Sequence, residues 1–430
     1  MNILIKDALA LLPGEETRVC DVYVSGDTIA SIDKAPEGFE IEKTIDGTGR
    51  LLTPGFVNAH THIYMTSLRN RADDLNFMTW LFDNVMPMES KLTDEDAYWS
   101  VQLGCMEMLQ SGVTSIMDMH MFPHTTPKAL EDAGMRAVVT RGLTGDKDSM
   151  DEGKKRIEQA LLEYEEFKNS PIISFRLAPH APYTCDEGFL RLVAETAREN
   201  GLGIHTHLSE SMDEQKTIKE RYGCTPAEYF DRCGILTENT LCAHCVYISE
   251  SDMELLAKRG TSVAHNAASN MKLGNGFAPV PEMLKHGINV ALGTDGCCSN
   301  NNQSILKEMQ MASLIHKGVA REATTLPAKS VFDMATVNGA KALGLGGVCG
   351  EIKVGCKADL ALFNLDTPEL FPLGEPKAAL CYSSAGLKAE TVLVNGRILL
   401  EKGEYKTIDV ERLKMQVKQT SERLNEIYRK

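Results

Sequence analysis

Between Pro54 and about residue 317 the chain repeats one rhythm: a short apolar run, a polar loop, then a stretch with apolar positions three and four apart. The apolar runs predict eight strands, at 55–63, 113–119, 136–143, 173–180, 203–209, 240–247, 261–267 and 289–296. Their near-continuous apolar character suits strands covered on both faces. The segments 94–112 and 186–201 have acidic starts, helical periodicity and a glycine at or near the end, and so predict helices. Eight alternating strand and helix units predict an α/β fold of the (β/α)8, TIM-barrel type. A doubly wound open sheet is the rival, but no glycine-rich phosphate loop opens the first helix.

The flanks have another pattern. Residues 1–53 and 350–404 carry short alternating strands separated by turn glycines. Neither has enough apolar surface for its own core, so the two are expected to pair as one small β-sandwich beside the barrel. The segment from Ile408 predicts an amphipathic helix with Val410, Leu413, Val417, Leu424 and Ile427 on one stripe. The domain expectation is 1–53 for the first part of the sandwich, 54–349 for the barrel, and 350–430 for the second part plus the terminal helix.

Active sites of such barrels lie at the C-terminal ends of the strands. Ionisable or ligand-type residues stand at or near those ends: His60 and His62, Asp118 with His120, Arg141, His180, His205 and His207, His244, His265, and Asp295. Eleven histidines scattered by chance over the chain would not fall this way. His60 and His62 share a strand face, as residues two apart must, and present two nitrogens to a metal. An isolated His-X-His would more often be a solvated strand end; the converging set changes that. The fifth strand offers His205 and His207. His207 is preferred as the ligand because it is nearer the mouth and has Glu210 three residues on, while His205 reads as a core or supporting histidine. Asp295 fits a fourth ligand, though an aspartate there also suits a helix cap. The fourth strand has no lysine to bridge two ions, so one metal is expected. Cys242 and Cys245 are three apart on a strand and face opposite ways, which excludes a CxxC metal or redox motif.

Composition narrows the partners. A net charge of −15 disfavours nucleic acid and other polyanions. No run of roughly 18 apolar residues predicts a membrane span, and the N-terminus reads as a strand, not a signal peptide. Twelve cysteines without an export signal suggest reduced thiols and a cytoplasmic location. A small-molecule substrate is expected; the oligomeric state stays open, a homo-oligomer included.

The stretches PGFVNAHTH, HTHLSE, CAHCVY, HNAASNMKLGNG and GTDGCCSNN together resemble the amidohydrolase superfamily, and within it the methylthioadenosine/S-adenosylhomocysteine deaminases. That resemblance covers nearly the whole chain. It implies one divalent metal, zinc before iron or manganese, held by His60, His62, His207 and Asp295. It implies Glu210 as the proton shuttle to the purine ring and His244 as the residue orienting the attacking water, with Asp295 as that water's base. It also implies Glu89 on the ribose hydroxyls, and His180 and Arg141 as further substrate contacts. Two departures stand out. Ala267 replaces the proline of the family's HNPASN loop, and the second arginine of some members has only Lys154, Lys155 and Arg156 near its place.

The implied reaction is hydrolytic deamination of an adenosine-type nucleoside, such as 5′-methylthioadenosine, S-adenosylhomocysteine, 5′-deoxyadenosine or adenosine, to the inosine analogue and ammonia. Which 5′ substituent is preferred is not legible. The connection after the first strand, about 30 residues, is long for a loop. Its apolar stretch MTWLFDNVMPMES is expected to wall the substrate site, with Trp80 or Phe82 near the purine. The alternative keeps the fold and metal but takes a free base or heterocycle, as guanine, pterin or triazine hydrolases do; Glu89 separates the two, since a free base has no diol. A non-catalytic scaffold is disfavoured because all four ligand positions and Glu210 are filled.

Overall fold

The computed structural model describes every residue except 385, 429 and 430. Eight parallel strands form one sheet in chain order: Phe56–Thr61, Val113–His120, Arg136–Leu143, Ile173–Pro179, Gly203–Leu208, Thr240–His244, Ser262–His265 and Val290–Leu292. They are called barrel strands one to eight below. Each falls inside or within one residue of an expected run. The runs overshoot where polar residues leave the ladder to form the mouth.

The first and eighth strands are joined largely by side chains. Asn58 accepts from the Thr294 amide at 3.0 Å and donates to the Thr294 hydroxyl at 2.7 Å. The Asp295 amide donates to the His60 carbonyl at 2.9 Å. Gln303, fully buried, accepts from the Thr61 and Thr294 hydroxyls at 3.0 and 2.8 Å and donates to the Asp295 carbonyl at 3.2 Å. Gly293 allows this seam: a Cβ there would lie 3.0 Å from the His60 backbone nitrogen and 2.3 Å from Asn266 Oδ1. The barrel's lower interior is filled by small and aliphatic side chains, Val57, Ala59, Met117, Val138, Leu241, Ala264 and Ala291, and capped from below by Ala340 and Leu343. A packed floor leaves only the upper end open for chemistry.

The flanking strands come together as expected, but hydrogen-bond as one continuous nine-stranded sheet. The link is Leu360–Asn364 lying antiparallel to Arg50–Pro54. Ile3, Ile5, Ala8 and Ala10 on one side, with Leu360, Leu362 and Leu393 on the other, share a second core. At the barrel's base Arg136 makes a buried two-pronged ion pair with Asp359 (Nε–Oδ2 2.6 Å, Nη2–Oδ1 3.1 Å), which also accepts from the Asn395 amide at 2.7 Å. The helix Val410–Tyr428 buries Leu413, Thr420 and Leu424, whereas Ile427, expected on the same stripe, is exposed. Thr420 donates to Asp96 at 2.6 Å, at the start of the helix Asp94–Gln110. No helix among the described residues is long and apolar enough to cross a membrane. All twelve cysteines are free, and none is exposed.

Candidate metal centre and its cavity

His60 and His62 project inward from barrel strand one, and His207 from strand five. Their ring centroids lie 4.9 to 5.4 Å apart. Nε2 of His62 and Nε2 of His207 are 3.3 Å apart. Asp295 Oδ1 is 3.3 Å from His60 Nε2 and 3.5 Å from His62 Nε2. The reason Nε2 faces the centre in every case is that Nδ1 is engaged behind it. His62 Nδ1–H donates to the Met119 carbonyl at 2.8 Å, and His207 Nδ1–H to the His180 carbonyl at 2.7 Å. His60 Nδ1 lies 2.8 Å from His205 Nε2. His60 Nε2 itself is buried and has no hydrogen-bond partner. A buried imidazole lone pair without a donor is unfavourable, and three nitrogens and a carboxylate oxygen around it match the donor set of a divalent cation. The residues present therefore fit a metal ion.

Asp295 is held from its other side. Its Oδ2 accepts from the Ser269 hydroxyl at 2.7 Å and the Ser299 hydroxyl at 2.8 Å. Burial pushes its carboxyl up, but the His60 contact and the charges of His244, His60 and His62 outweigh that and hold it well below the usual carboxylate range. Burial likewise keeps His205 and His207 well below the ordinary imidazole pKa, with neighbouring histidines adding to the effect. Burial brings His60 down to about 4 against the opposing pull of Asp295. Neutral imidazoles and an ionised carboxylate are the forms that bind metal.

His244, at the end of strand six, faces the same point: its Nε2 is 3.8 Å from Glu210 Oε2 and 4.0 Å from Asp295 Oδ2. Its Nδ1 lies 2.8 Å from the Asn270 amide oxygen. His244 (φ +73°), Asp295 (φ +61°) and Ser209 (φ +53°) all take left-handed backbone conformations. Non-glycine residues adopt these at a cost of about 1–3 kcal/mol, and such strain clusters at functional sites. Glu210 follows Ser209 directly. Burial, reinforced by the charge of Asp295 and opposed by a 3.3 Å hydrogen bond from Asn275, raises the Glu210 carboxyl well above its ordinary value. Burial thus favours the protonated form of the carboxyl that faces the cavity.

A cavity of about 1000 Å3, its open mouth included, rises from these groups. His62, His180, His207, Glu210, His244 and Asp295 line its polar end. The stretch expected to wall it does so, in part as a π-helix over Thr79–Val85. Phe77, Trp80, Leu81, Phe82 and Met86 line the cavity. Trp80 donates its indole N–H to the Cys298 carbonyl at 3.2 Å and is buried, while Phe82 is 43% exposed at the rim. Glu89 faces the cavity from the end of this stretch and accepts a short hydrogen bond from Tyr64. Burial raises its carboxyl, with the Tyr64 bond pulling the other way.

One candidate residue is not brought in. Arg141 alternates with Gly142, which lines the cavity, and so turns to the other face of strand three. Its guanidinium donates to Gln159 at 2.8 Å, toward the helix Met150–Phe167. Its other guanidinium nitrogen donates to the carbonyl of Met121, a cavity-lining residue, at 3.4 Å. Arg156, unassigned from sequence, instead reaches Thr144 at the cavity rim, donating to its carbonyl and hydroxyl at 3.0 and 3.2 Å. Tyr64, Ser269, Ser299 and Asn275 were also not singled out. Tyr64 had a usable signal, being two residues beyond His62, whereas Ser269 sits in the short helix Ala267–Lys272 and Ser299 and Asn275 in loops, none with a readable periodicity.

The amidohydrolase family model matches residues 51–399. Over 437 aligned residues the chain is 43% identical to a 5-methylthioadenosine/S-adenosylhomocysteine deaminase of Acetivibrio thermocellus, covering 99% of this chain and 100% of the relative. It is 40% identical to a 5'-deoxyadenosine deaminase of Methanothermobacter thermautotrophicus, covering 90% and 91%. Among solved structures, an adenosine deaminase from Xanthomonas campestris with bound zinc superposes with a TM-score of 0.94 at 31% identity, covering 98% of each chain. A single family thus accounts for both the sequence and the arrangement of strands, and this chain belongs to the amidohydrolase family.

Proposed function

We propose that this protein is a metal-dependent deaminase of adenosine-type nucleosides, releasing ammonia and the inosine analogue. The observation that carries the reading is the convergence of His62, His207, His244, Glu210 and Asp295 at the polar end of one cavity, with the orphaned His60 Nε2 3.3 Å from Asp295 Oδ1 behind them. The names borne by the relatives agree with it. His60, His62, His207 and Asp295 are the proposed holders of one divalent ion, zinc in the first instance. When bound, such an ion polarises a water and lowers its pKa towards about 7.

The protein's own groups then move the protons. Asp295 accepts the proton of the attacking water while His244 keeps that water aligned with carbon 6 of the purine. Water oxygen bonds to carbon 6, and Glu210 gives its proton to ring nitrogen 1, so no negative charge builds up on the ring. The carbon 6–nitrogen bond breaks, the amino group leaves as ammonia with the proton Asp295 took from water, and the proton still on the oxygen passes to Glu210 as the carbonyl forms, which restores the acid. Glu89, with one oxygen engaged by Tyr64, offers its other to the ribose hydroxyls. Met65, Met86, Met119, Met121 and Phe77 give the cavity an apolar wall that suits a thioether or deoxy 5′ substituent.

The test is ammonia release measured side by side with methylthioadenosine, S-adenosylhomocysteine, 5′-deoxyadenosine, adenosine and guanine. Turnover of the adenine nucleosides is expected. Turnover of guanine alone would replace this reading with the free-base one.

A further inference from the structure

Two of the three converging histidines are backed by backbone carbonyls, Met119 for His62 and His180 for His207. A carbonyl only accepts, so it forces the hydrogen onto Nδ1 and leaves the Nε2 lone pair facing the centre. His60 differs. Behind its Nδ1, at 2.8 Å, stands Nε2 of His205, a group that can donate or accept. If His205 donated, His60 would have to carry its own hydrogen on Nε2, and that nitrogen could not bind a cation.

The ambiguity is removed one step further back. His205 Nδ1 lies 3.0 Å from the carbonyl of Leu241, its register partner on barrel strand six. Because that carbonyl can only accept, the His205 hydrogen sits on Nδ1 and its Nε2 is left as an acceptor. His60 must then donate from Nδ1. Both rings are fully buried, so no solvent competes for either bond.

We propose that His205 is a positioning residue, and that the relay from the Leu241 carbonyl through His205 to His60 sets the tautomer in which His60 can hold the ion. This rests on the reading of His60 as a ligand. His205 touches neither substrate nor metal; it determines which nitrogen its neighbour presents. Its place in the chain, two residues before His207 on the same inward face, lets one strand supply a ligand and the orienting group of another.

The test is zinc affinity of the full-length protein, measured by competition with a chromophoric chelator, for the unaltered chain, His205→Phe and His205→Gln. His205→Phe, which keeps the bulk and loses the acceptor, is expected to weaken zinc binding about 10- to 100-fold. His205→Gln restores an amide oxygen facing His60 and an N–H for Leu241, and is expected to recover most of that loss. Should His205→Phe fail to fold, nitrogen-15 spectra of the zinc-loaded, histidine-labelled unaltered protein decide the matter. Hydrogens on Nδ1 of both His60 and His205 support the relay; a hydrogen on His205 Nε2 overturns it. Equal zinc affinity in the unaltered chain and His205→Phe overturns the relay alone, whereas an unaltered chain that takes up no zinc overturns the metal reading as well.

Discussion

Glu89→Gln separates nucleoside recognition from chemistry. The carboxylate is half-buried and one of its oxygens already accepts from Tyr64. A glutamine can keep the Tyr64 bond through its amide oxygen, and then turns an NH2 donor where the ribose hydroxyls need an acceptor. What is removed is one charge-assisted hydrogen bond, worth about 1.5–3 kcal/mol. At about 1.4 kcal/mol per factor of ten, kcat/KM for methylthioadenosine should fall about 10- to 140-fold. The metal-side groups are untouched, so the loss should appear chiefly in KM. Free adenine has no ribose, and its slow turnover should not change. The assay is steady-state ammonia release with both compounds, with thermal unfolding to verify that the variant is folded. An equal fall for adenine and the nucleoside, or no fall for either, would refute the assignment of Glu89 to the sugar.

Asp295→Asn should abolish ammonia release while leaving circular dichroism unchanged; undiminished turnover would end the proton-transfer scheme. Prolonged dialysis against a chelator should remove activity, and added Zn2+ should restore it, as read by ammonia release alongside metal analysis. Arg136→Ala leaves Asp359 buried without its partner at the barrel base. It should destabilise the protein by about 3–5 kcal/mol in denaturant titration, with little change in the kcat of the folded fraction because the pair lies at the opposite end from the cavity.

The barrel was legible because parallel strands buried on both faces leave apolar runs, and because function places polar residues where those runs stop. Strand periodicity made legible only that His60 and His62 share a face; their reading as ligands came from the converging set of strand-end residues. The facing of Arg141 was not legible for the complementary reason: being at a strand end does not say which face a residue takes, and the positions there that line the cavity are Gly142 and, just past the strand, Thr144. The join between Arg50–Pro54 and Leu360–Asn364 had no local signal, since hydrogen bonding across about 300 residues is set by the assembled fold. The same holds for Ser269 and Ser299, whose importance lies in one oxygen of Asp295. Neither carries a pattern a reader of the chain could follow.

The seam between the first and last barrel strands has a consequence for how the protein matures. Asn58 and Thr294 stand 236 positions apart, yet their contact is what brings His60 beside Asp295. Contacts of such long sequence separation form late and slowly, so a chain interrupted on its way, on the ribosome or after partial melting, has the histidines of its first half without the aspartate that completes the proposed metal site. Metal uptake with full affinity would then mark the moment the cylinder shuts, and slow acquisition of the ion during refolding would report on ring closure.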